Sequence, residues 1–509
     1  MQGTMLDLLA AGDKAHAAIT APDRDPLTYK ALDALVRDVV GQLNRLGIGP
    51  GNRVAIVLPN GPEMATAFVS IAATATAAPL NPAYRAEEFE FYLSDLKPLA
   101  LIAMKDDPSA SRAVAAAHGI PVIDLVPDMG AGAGSFALEA GGFPASQKAR
   151  VEQPRPDDIA LVLHTSGTTS RPKIVPLSMA NLAASAHNIG RTLGLTETDV
   201  CLNIMPLFHI HGLVAAVLSS LAAGASVHCT PGFNAHAFAG WLETARPTWY
   251  TAVPTMHQMI LGRADRNAER YATAALRFIR SSSASLPPQV MQGLENAFGC
   301  PVVEAYGMTE AAHQMTSNPL PPAARKPGSV GRAAGPEVAI MDDTGTLVPS
   351  GGIGEVVIRG GNVTQGYASN AAANATAFTN GWFRTGDQGQ FDDEGYLYLV
   401  GRLKEIINRG GEKIGPLEVD NALMDHPAVA QVVTFAVPHD VLGEDVAAAV
   451  VLRDGASATE RELRDFAMTR LAAFKVPRRI VFLAEIPKGA TGKLQRIGLA
   501  KTLGLEGTA

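Results

Sequence analysis

Between Thr28 and Met104 the chain passes repeatedly from helical to extended periodicity, and this alternation restricts the fold more than any other feature. Leu32, Leu35, Val36, Val39, Leu43 and Leu46 recur at helical spacing behind Thr28, a residue suited to capping, and Gly47 ends the run. Apolar strands are expected at 53–58, 78–80 and 100–104, with helices at 63–75 and 86–96 between them. Strands joined through helices form βαβ units, which predicts an α/β chain with covered, layered, mostly parallel sheets. At 509 residues the chain is too long for one ordinary core, so at least two domains are expected. Residues 130–156, rich in Gly, Ala and Pro, read as a surface connection. Gly130, Gly132 and Gly134 lack the strand-to-helix context of a dinucleotide loop.

The stretch 163–178, LHTSGTTSRPKIVPLS, follows the buried-strand pattern IALVLH. Thr165, Ser166, Gly167, Thr168 and Thr169, with Lys173 beyond them, can surround phosphate oxygens with hydroxyls, backbone N–H groups and one ammonium. An ordinary Ser/Thr turn would use the same residue types. Lys173 is followed by Ile174, so the Walker frame ending in Gly-Lys-Ser/Thr is missing.

Farther on, Ser178 can cap a helix, and residues 205–212 are expected to bring His209 and His211 to the end of an apolar strand. The strand RFIR at 277–280 runs into small residues at 281–285, and the strand at 302–305 runs into YGMTE. Loops at such strand ends gather at one region, as ligand sites do in open α/β sheets. From Gly354 the text turns β-rich and glycine-punctuated, which suggests a subdomain completing the large one. Past Arg402 a small α+β unit begins with a strand at 404–408, a helix at 416–426, strands at 431–437 and 446–452, a capping box from Thr459 to Glu462, and a strand at 479–486. The expected division is an N-terminal domain over 1–400, a hinge at 401–404 and a mobile C-terminal domain over 405–509.

Hydrophobic residues make up 47% and charged residues 18% of the chain, as in soluble globular proteins. A net charge of −7 provides no general attraction for nucleic acid, so a polyanion must be held at a local site. The three cysteines, Cys201, Cys229 and Cys300, lack metal spacing and read as structural thiols of a reducing compartment. The first residues lack a basic leader segment, and the last lack a peroxisomal signal, so a cytoplasmic protein is expected. Residues 203–242 carry no Asp, Glu, Lys or Arg, but proline, glycine and histidine interrupt them, which favours a buried core helix over a membrane span.

Five ordered motifs resemble the adenylate-forming superfamily of acyl-CoA synthetases, luciferases and peptide-synthetase adenylation domains. They are TSGTTSRPK, YGMTE at 306–310, WFRTGD at 382–387, GRLKEIINRGGEKI at 401–414 and PKGATGKLQR at 487–496. The segments MPLFHIHG, RSSSASLPP and YGMTEAAHQ are similar to the oxalate–CoA ligase branch. The resemblance implies ATP, Mg2+ and coenzyme A as reaction partners of a small carboxylate, with no nucleic-acid or membrane partner and a monomer or homodimer as the working state. It implies that Thr165 to Thr169 and Lys173 hold the β- and γ-phosphates, that Thr309 meets the α-phosphate and that Glu310 binds the metal. Tyr306 would lie along the adenine with Ser283, Ala284 and Ser285 opposite, beside Glu304 and Ala305, and Asp387 with Arg402 would take the ribose. Lys493 would bridge carboxylate and α-phosphate, Lys404 would be the hinge, and Gly410 and Gly411 would let the pantetheine arm pass; an ordinary strand turn is the plainer role for that glycine pair.

His209, Ser282 and His313 stand where a fatty-acid ligase would carry aliphatic side chains, so a small, anion-tolerant pocket is expected; His211 and His257 are weaker candidates. His209 falls equally where the family has a residue that clears the CoA channel. Ile174 and Gly415 depart from the family pattern, weakening transfer of the substrate more than of the reaction. Besides oxalate, the open alternatives are malonate or another short acid and, from a different class, a nucleotide-binding interaction protein without catalysis.

Overall fold

The computed structural model describes residues 3–141, 143, 153–165, 172–487, 494 and 496–505. Among these, the strands form four sheets. The first runs in the order Phe136–Glu139, Val122–Pro127, Ala100–Met104, Arg53–Val57, Thr76–Pro79, Ile159–Thr165, Lys173–Ser178, parallel at its centre and antiparallel at both edges. Side-chain alternation shows why its centre is apolar throughout. Val54 and Ile56 enter one core, while Ala55 and Val57 enter another on the opposite face.

The second sheet is longer, in the order Arg332–Ala333, His313–Ser317, Val302–Met308, Phe278–Ser281, Trp249–Ala252, Val200–Asn203, Ser226–Cys229, Ala17–Ala21, Arg24–Thr28. Its middle is parallel from Val302–Met308 across to Ala17–Ala21. Trp249 and Phe278 join the core shared with the first sheet, whereas Tyr250 and Ile279 enter a separate core on the other face. The helices Tyr29–Arg45, Met179–Thr192 and His211–Leu218 contribute to that shared core, so helices and two sheets form stacked layers. Thr28 and Ser178 cap their helices through their side chains, as their residue types suggested.

A five-stranded antiparallel sheet, with Gly354–Arg359, Trp382–Phe391 and Leu397–Arg402 among its members, forms the β-rich part. The C-terminal sheet is built around Gly443–Leu452, which pairs with Val429–His439, Ile407–Arg409 and Arg479–Phe482. Val432 and Val446 pack on one face with Leu423 and Leu463 of the helices Pro416–Met424 and Glu460–Met468. Phe435 and Ala447 pack on the other with Ile486 and Leu499.

Some local expectations change. The connection after residue 130 contains the edge strand Phe136–Glu139, and Gly132 and Gly134 are close-packing positions: a Cβ on Gly132 would lie 2.8 Å from the Pro26 carbonyl oxygen. The strand expected at 404–408 is Ile407–Arg409, because the backbone first turns through N–H bonds from Glu405 and Ile406 to the Arg402 carbonyl. The last expected strand stops at Phe482. His209 lies beyond the strand Val200–Asn203 on the connection into a buried helix with π geometry, and His211 opens that helix, where a Cβ on Gly212 would collide with the Pro206 carbonyl. No helix among the described residues is long and apolar enough to cross a membrane. All three cysteines are free and buried.

Candidate active site

The parallel strands of the second sheet end on one side, and their loops meet there. Val302–Met308 continues into the turn Thr309–Ala311 and reverses into His313–Ser317. The reversal places Ala312 and His313 at φ 46° and 101°, conformations that cost on the order of 1–3 kcal/mol each for residues with a Cβ. The Ser185 hydroxyl donates to the Ala312 carbonyl at 2.6 Å, and Gly307 fits where a Cβ would collide with the His313 carbonyl. The strained turn buries the His313 ring 4.9 Å from that of His211.

A cation that sequence reasoning passed over lies beneath these rings. Arg280, on Phe278–Ser281, is fully buried. Its guanidinium lies 3.4 Å from Thr251 Oγ1, 3.5 Å from His313 Nδ1 and 3.3 Å from Gln314 Oε1. His211 bonds the same Thr251 hydroxyl at 2.6 Å and the Ser283 hydroxyl at 3.0 Å. Nε of Arg280 has no hydrogen-bond partner, and no carboxylate among the described residues pairs with this side chain. Burial lowers its pKa to about 9, which leaves it a cation at neutral pH. Arginine in a strand pattern reads as an edge or outward residue; only the neighbouring strand Trp249–Ala252, distant in sequence, reveals that it faces a polar cluster.

The other expected residues divide by location. Ser282 is buried and donates its hydroxyl proton to the Ala305 carbonyl at 2.7 Å, leaving it an acceptor. His209 is half-buried with its ring 5.5 Å from Phe208. His257 is a core residue against Tyr250, and burial pushes its pKa down to about 3. Ser283 is at φ 74° in the small-residue loop, Ala284 is exposed and Ser285 half-buried. Ser166, Gly167, Thr168, Thr169 and Lys493 lie outside the described residues, while Thr165 and Lys173 are register partners in the antiparallel pair on either side of 166–171.

Asp387 and Arg402 are register partners on adjacent strands, with Arg402 Nε 3.3 Å from Asp387 Oδ1. The carboxylate raises the arginine's pKa, and the Tyr306 hydroxyl donates to Asp387 Oδ2. Glu310 is buried, which raises its pKa, but Tyr367 donates to its Oε1 at 3.0 Å and Arg402 and Lys173 also favour the ionised form. These residues fit magnesium: it binds through one or two carboxylates and fills its octahedron with water and substrate phosphate oxygens. No cluster of three metal-binding side chains occurs among the described residues, so an all-protein cage is not what they offer. Lys404 is exposed in the turn after Arg402. Gly410 and Gly411, at φ 60° and 98°, form the two-residue loop between Ile407–Arg409 and Glu412–Ile414, a geometry that requires positive φ at both positions.

Glu304 accepts from the Leu286 N–H at 2.8 Å and so holds the small-residue loop, and burial pushes its pKa up to about 8. A carboxyl held above its ordinary value of 4.5 binds its proton more tightly in the folded chain. Its favourable contribution is therefore complete below the ordinary value and is lost as pH rises toward about 8. Glu304→Gln keeps the acceptor without the charge. Its thermal midpoint is expected to match the parent near pH 5 and exceed it near pH 8, both measured by calorimetry; an offset independent of pH would contradict a neutral Glu304.

An antiparallel strand pair on either side of a Ser/Thr-rich segment, a Tyr–Asp–Arg cluster and a buried acid after a β-strand together suit a nucleotide-activating enzyme. The chain belongs to the AMP-binding enzyme family: the family profile matches residues 8–368, and the profile of the AMP-binding enzyme C-terminal domain matches residues 418–493. It is 47% identical to an oxalate–CoA ligase from Arabidopsis thaliana, over 97% of this chain and 96% of the relative. It is 40% identical to an oxalate–CoA ligase from Saccharomyces cerevisiae, over 96% and 94% respectively. The crystal structure of ATP-bound MatB from Rhodopseudomonas palustris superposes with a TM-score of 0.88 at 30% identity, covering 99% of both chains. The fold is that of adenylate-forming ligases, with a large N-terminal α/β domain and a smaller C-terminal one, and the enzyme class is AMP-forming acyl-CoA synthetase.

Proposed function

We propose that this chain is an oxalate–CoA ligase. The observation that carries the assignment is Arg280, a buried cation without an acidic partner, surrounded by Thr251, His211, His313 and Gln314. An uncompensated buried charge costs several kcal/mol, and an anionic group of the substrate would offset that cost through charge-assisted hydrogen bonds. A dicarboxylate offers one carboxylate to Arg280 and His313 and leaves the other for activation. Oxalate, whose carboxylates are directly joined, is the smallest such acid, and the relatives bearing that name span nearly the whole chain.

In the first step, an oxygen of the free carboxylate attacks the α-phosphorus of ATP, forming an acyl–O–P bond as the bond to pyrophosphate breaks. Thr165, Ser166, Gly167, Thr168, Thr169 and Lys173 hold the departing phosphates, and Thr309 orients the α-phosphate. Tyr306 packs along the adenine against Ser283, Ala284 and Ser285, with the backbone of Glu304 and Ala305 at its edge, and Asp387 with Arg402 binds the ribose hydroxyls. Glu310 would hold Mg2+, which when bound neutralises charge on the phosphate oxygens. Lys493 stabilises charge between carboxylate and α-phosphate only while the C-terminal domain is closed. Turning at Lys404, with domains over 1–400 and 405–509, then brings Gly410 and Gly411 beside the pantetheine arm. The CoA sulfur attacks the acyl carbon, AMP leaves, and the thiol proton passes to solvent. His209 lines the path between the acid and the thiol. We place the enzyme in the cytoplasm, acting as a monomer or homodimer.

Pyrophosphate release with ATP and Mg2+, measured on oxalate, malonate, succinate, acetate and octanoate with and without CoA, tests the proposal. The expected kcat/KM for oxalate exceeds that for acetate by about 100-fold, the scale of one charge-assisted contact, and oxalyl-CoA is the product. Preference for octanoate would overturn the anion pocket.

A further inference from the structure

Tyr367 lies in none of the motifs that define the family resemblance, yet it touches two of them. Its hydroxyl donates to Glu310 Oε1 at 3.0 Å, and Lys173 Nζ lies over its ring, 4.4 Å from the centroid. The backbone around it makes the same two connections. The Thr364 N–H donates to the Glu310 carbonyl at 2.7 Å, and the Ala368 N–H donates to the Ile174 carbonyl, next to Lys173, at 3.0 Å. Residues 364–368 thus form a strap between the acid-bearing turn and the strand that Lys173 opens.

The strap is built to hold the tyrosine still. Asn374 accepts from the Tyr367 N–H and donates to its carbonyl, both at 2.8 Å. Asn374 sits in the helix Ala371–Ala377, whose N-terminus is capped by Asn370. Gly366, at φ 131°, precedes the tyrosine where a Cβ would lie 2.8 Å from Asn374 Oδ1, so the clamp excludes a larger residue. The ring itself packs 6.3 Å from that of the fully buried Phe383.

We infer that Tyr367 is a positioning residue that fixes Lys173 and Glu310 relative to one another, so that the lysine and the acid meet the triphosphate as one preset unit. Its two contacts use different parts of the side chain: the hydroxyl serves Glu310, and the π face, with its negative quadrupole, serves the ammonium. A nucleotide lacking the β- and γ-phosphates needs neither. The inference builds on the adenylation proposed above and concerns the triphosphate end of that site.

The full-length protein is titrated calorimetrically with α,β-methylene-ATP over a range of Mg2+ concentrations and, separately, with AMP. Tyr367→Phe keeps the ring and loses the hydroxyl. It is expected to require about 5-fold more Mg2+ for half-maximal binding of the analogue, the scale of the net contribution of one hydrogen bond, with AMP affinity unchanged. Tyr367→Leu loses the ring too and is expected to weaken analogue binding about 3-fold further at saturating Mg2+, again sparing AMP. A Tyr367→Phe protein with the parent's Mg2+ dependence would overturn the inference, as would parallel loss of AMP and analogue affinity, the mark of a merely structural role. A parent protein that binds neither nucleotide would instead overturn the adenylation proposal itself.

Discussion

Replacing Arg280 with methionine is expected to lower kcat/KM for oxalate by about 100-fold, or roughly 2.7 kcal/mol, the range found when one partner of a buried charge pair is removed. Stability should be unchanged or slightly higher. The guanidinium has no carboxylate partner among the described residues, and exchanging an uncompensated buried charge for an apolar side chain of similar length relieves desolvation. In the proposed pocket oxalate loses the group that holds its second charge, whereas acetate never used it, so the ratio of their kcat/KM values should fall toward one. Equal losses on both acids, accompanied by a lower unfolding midpoint, would show that Arg280 only braces Gln314 and Thr251. Steady-state kinetics on the two acids and one calorimetric scan decide between these outcomes.

Lys493→Ala is expected to remove about 10³-fold of acid-dependent pyrophosphate release, the scale of losing one preorganised charge at a transition state. Thioester formation from preformed acyl-adenylate should stay within about 3-fold of the parent, because the proposed mechanism gives the lysine a part in the first step alone. The chain is firmly anchored just beyond it. Arg496 pairs with Asp420 at 2.8 Å and with Glu405 at 3.2 Å, and donates to the Thr434 carbonyl. Glu405 adjoins Lys404, so one half-buried arginine joins the segment after Lys493 to the residue beside the proposed hinge. A variant that kept full pyrophosphate release would sink the role assigned to Lys493; one that lost both steps equally would point to a collapsed C-terminal domain.

The elements whose signals are local were legible in the chain. Ala86–Leu96 and Ala100–Met104 fall where periodicity put them, and the Thr28, Ser178 and Thr459 caps were visible as residue types. Phe136–Glu139 was not, since a four-residue edge strand in a Gly- and Ala-rich stretch owes its extended form to the neighbouring Val122–Pro127. Motifs with charged or small residues at fixed spacing exposed Glu310, Asp387 and Arg402. Arg280 and Tyr367 stayed hidden because each acquires its meaning from segments distant in sequence: Trp249–Ala252 for the arginine, Glu310 and Lys173 for the tyrosine. The histidines show the same dependence. His211 and His257 look alike as lone residues, yet one joins the polar cluster through Thr251 and the other is enclosed against Tyr250. Nothing local in AAHQ foretells that Ala312 and His313 both take positive φ.

The buried cysteines bear on the chemistry from another direction. An acyl-adenylate is an electrophile that any exposed thiolate of the protein could capture, ending turnover in a dead acylated enzyme. Cys201 and Cys229 are fully enclosed and Cys300 nearly so, and burial pushes all three thiols upward, Cys300 to about 12. Sulfur is thus withheld from the activated acid by the fold itself, and the reactive thiolate that meets it is the one carried in by the second substrate.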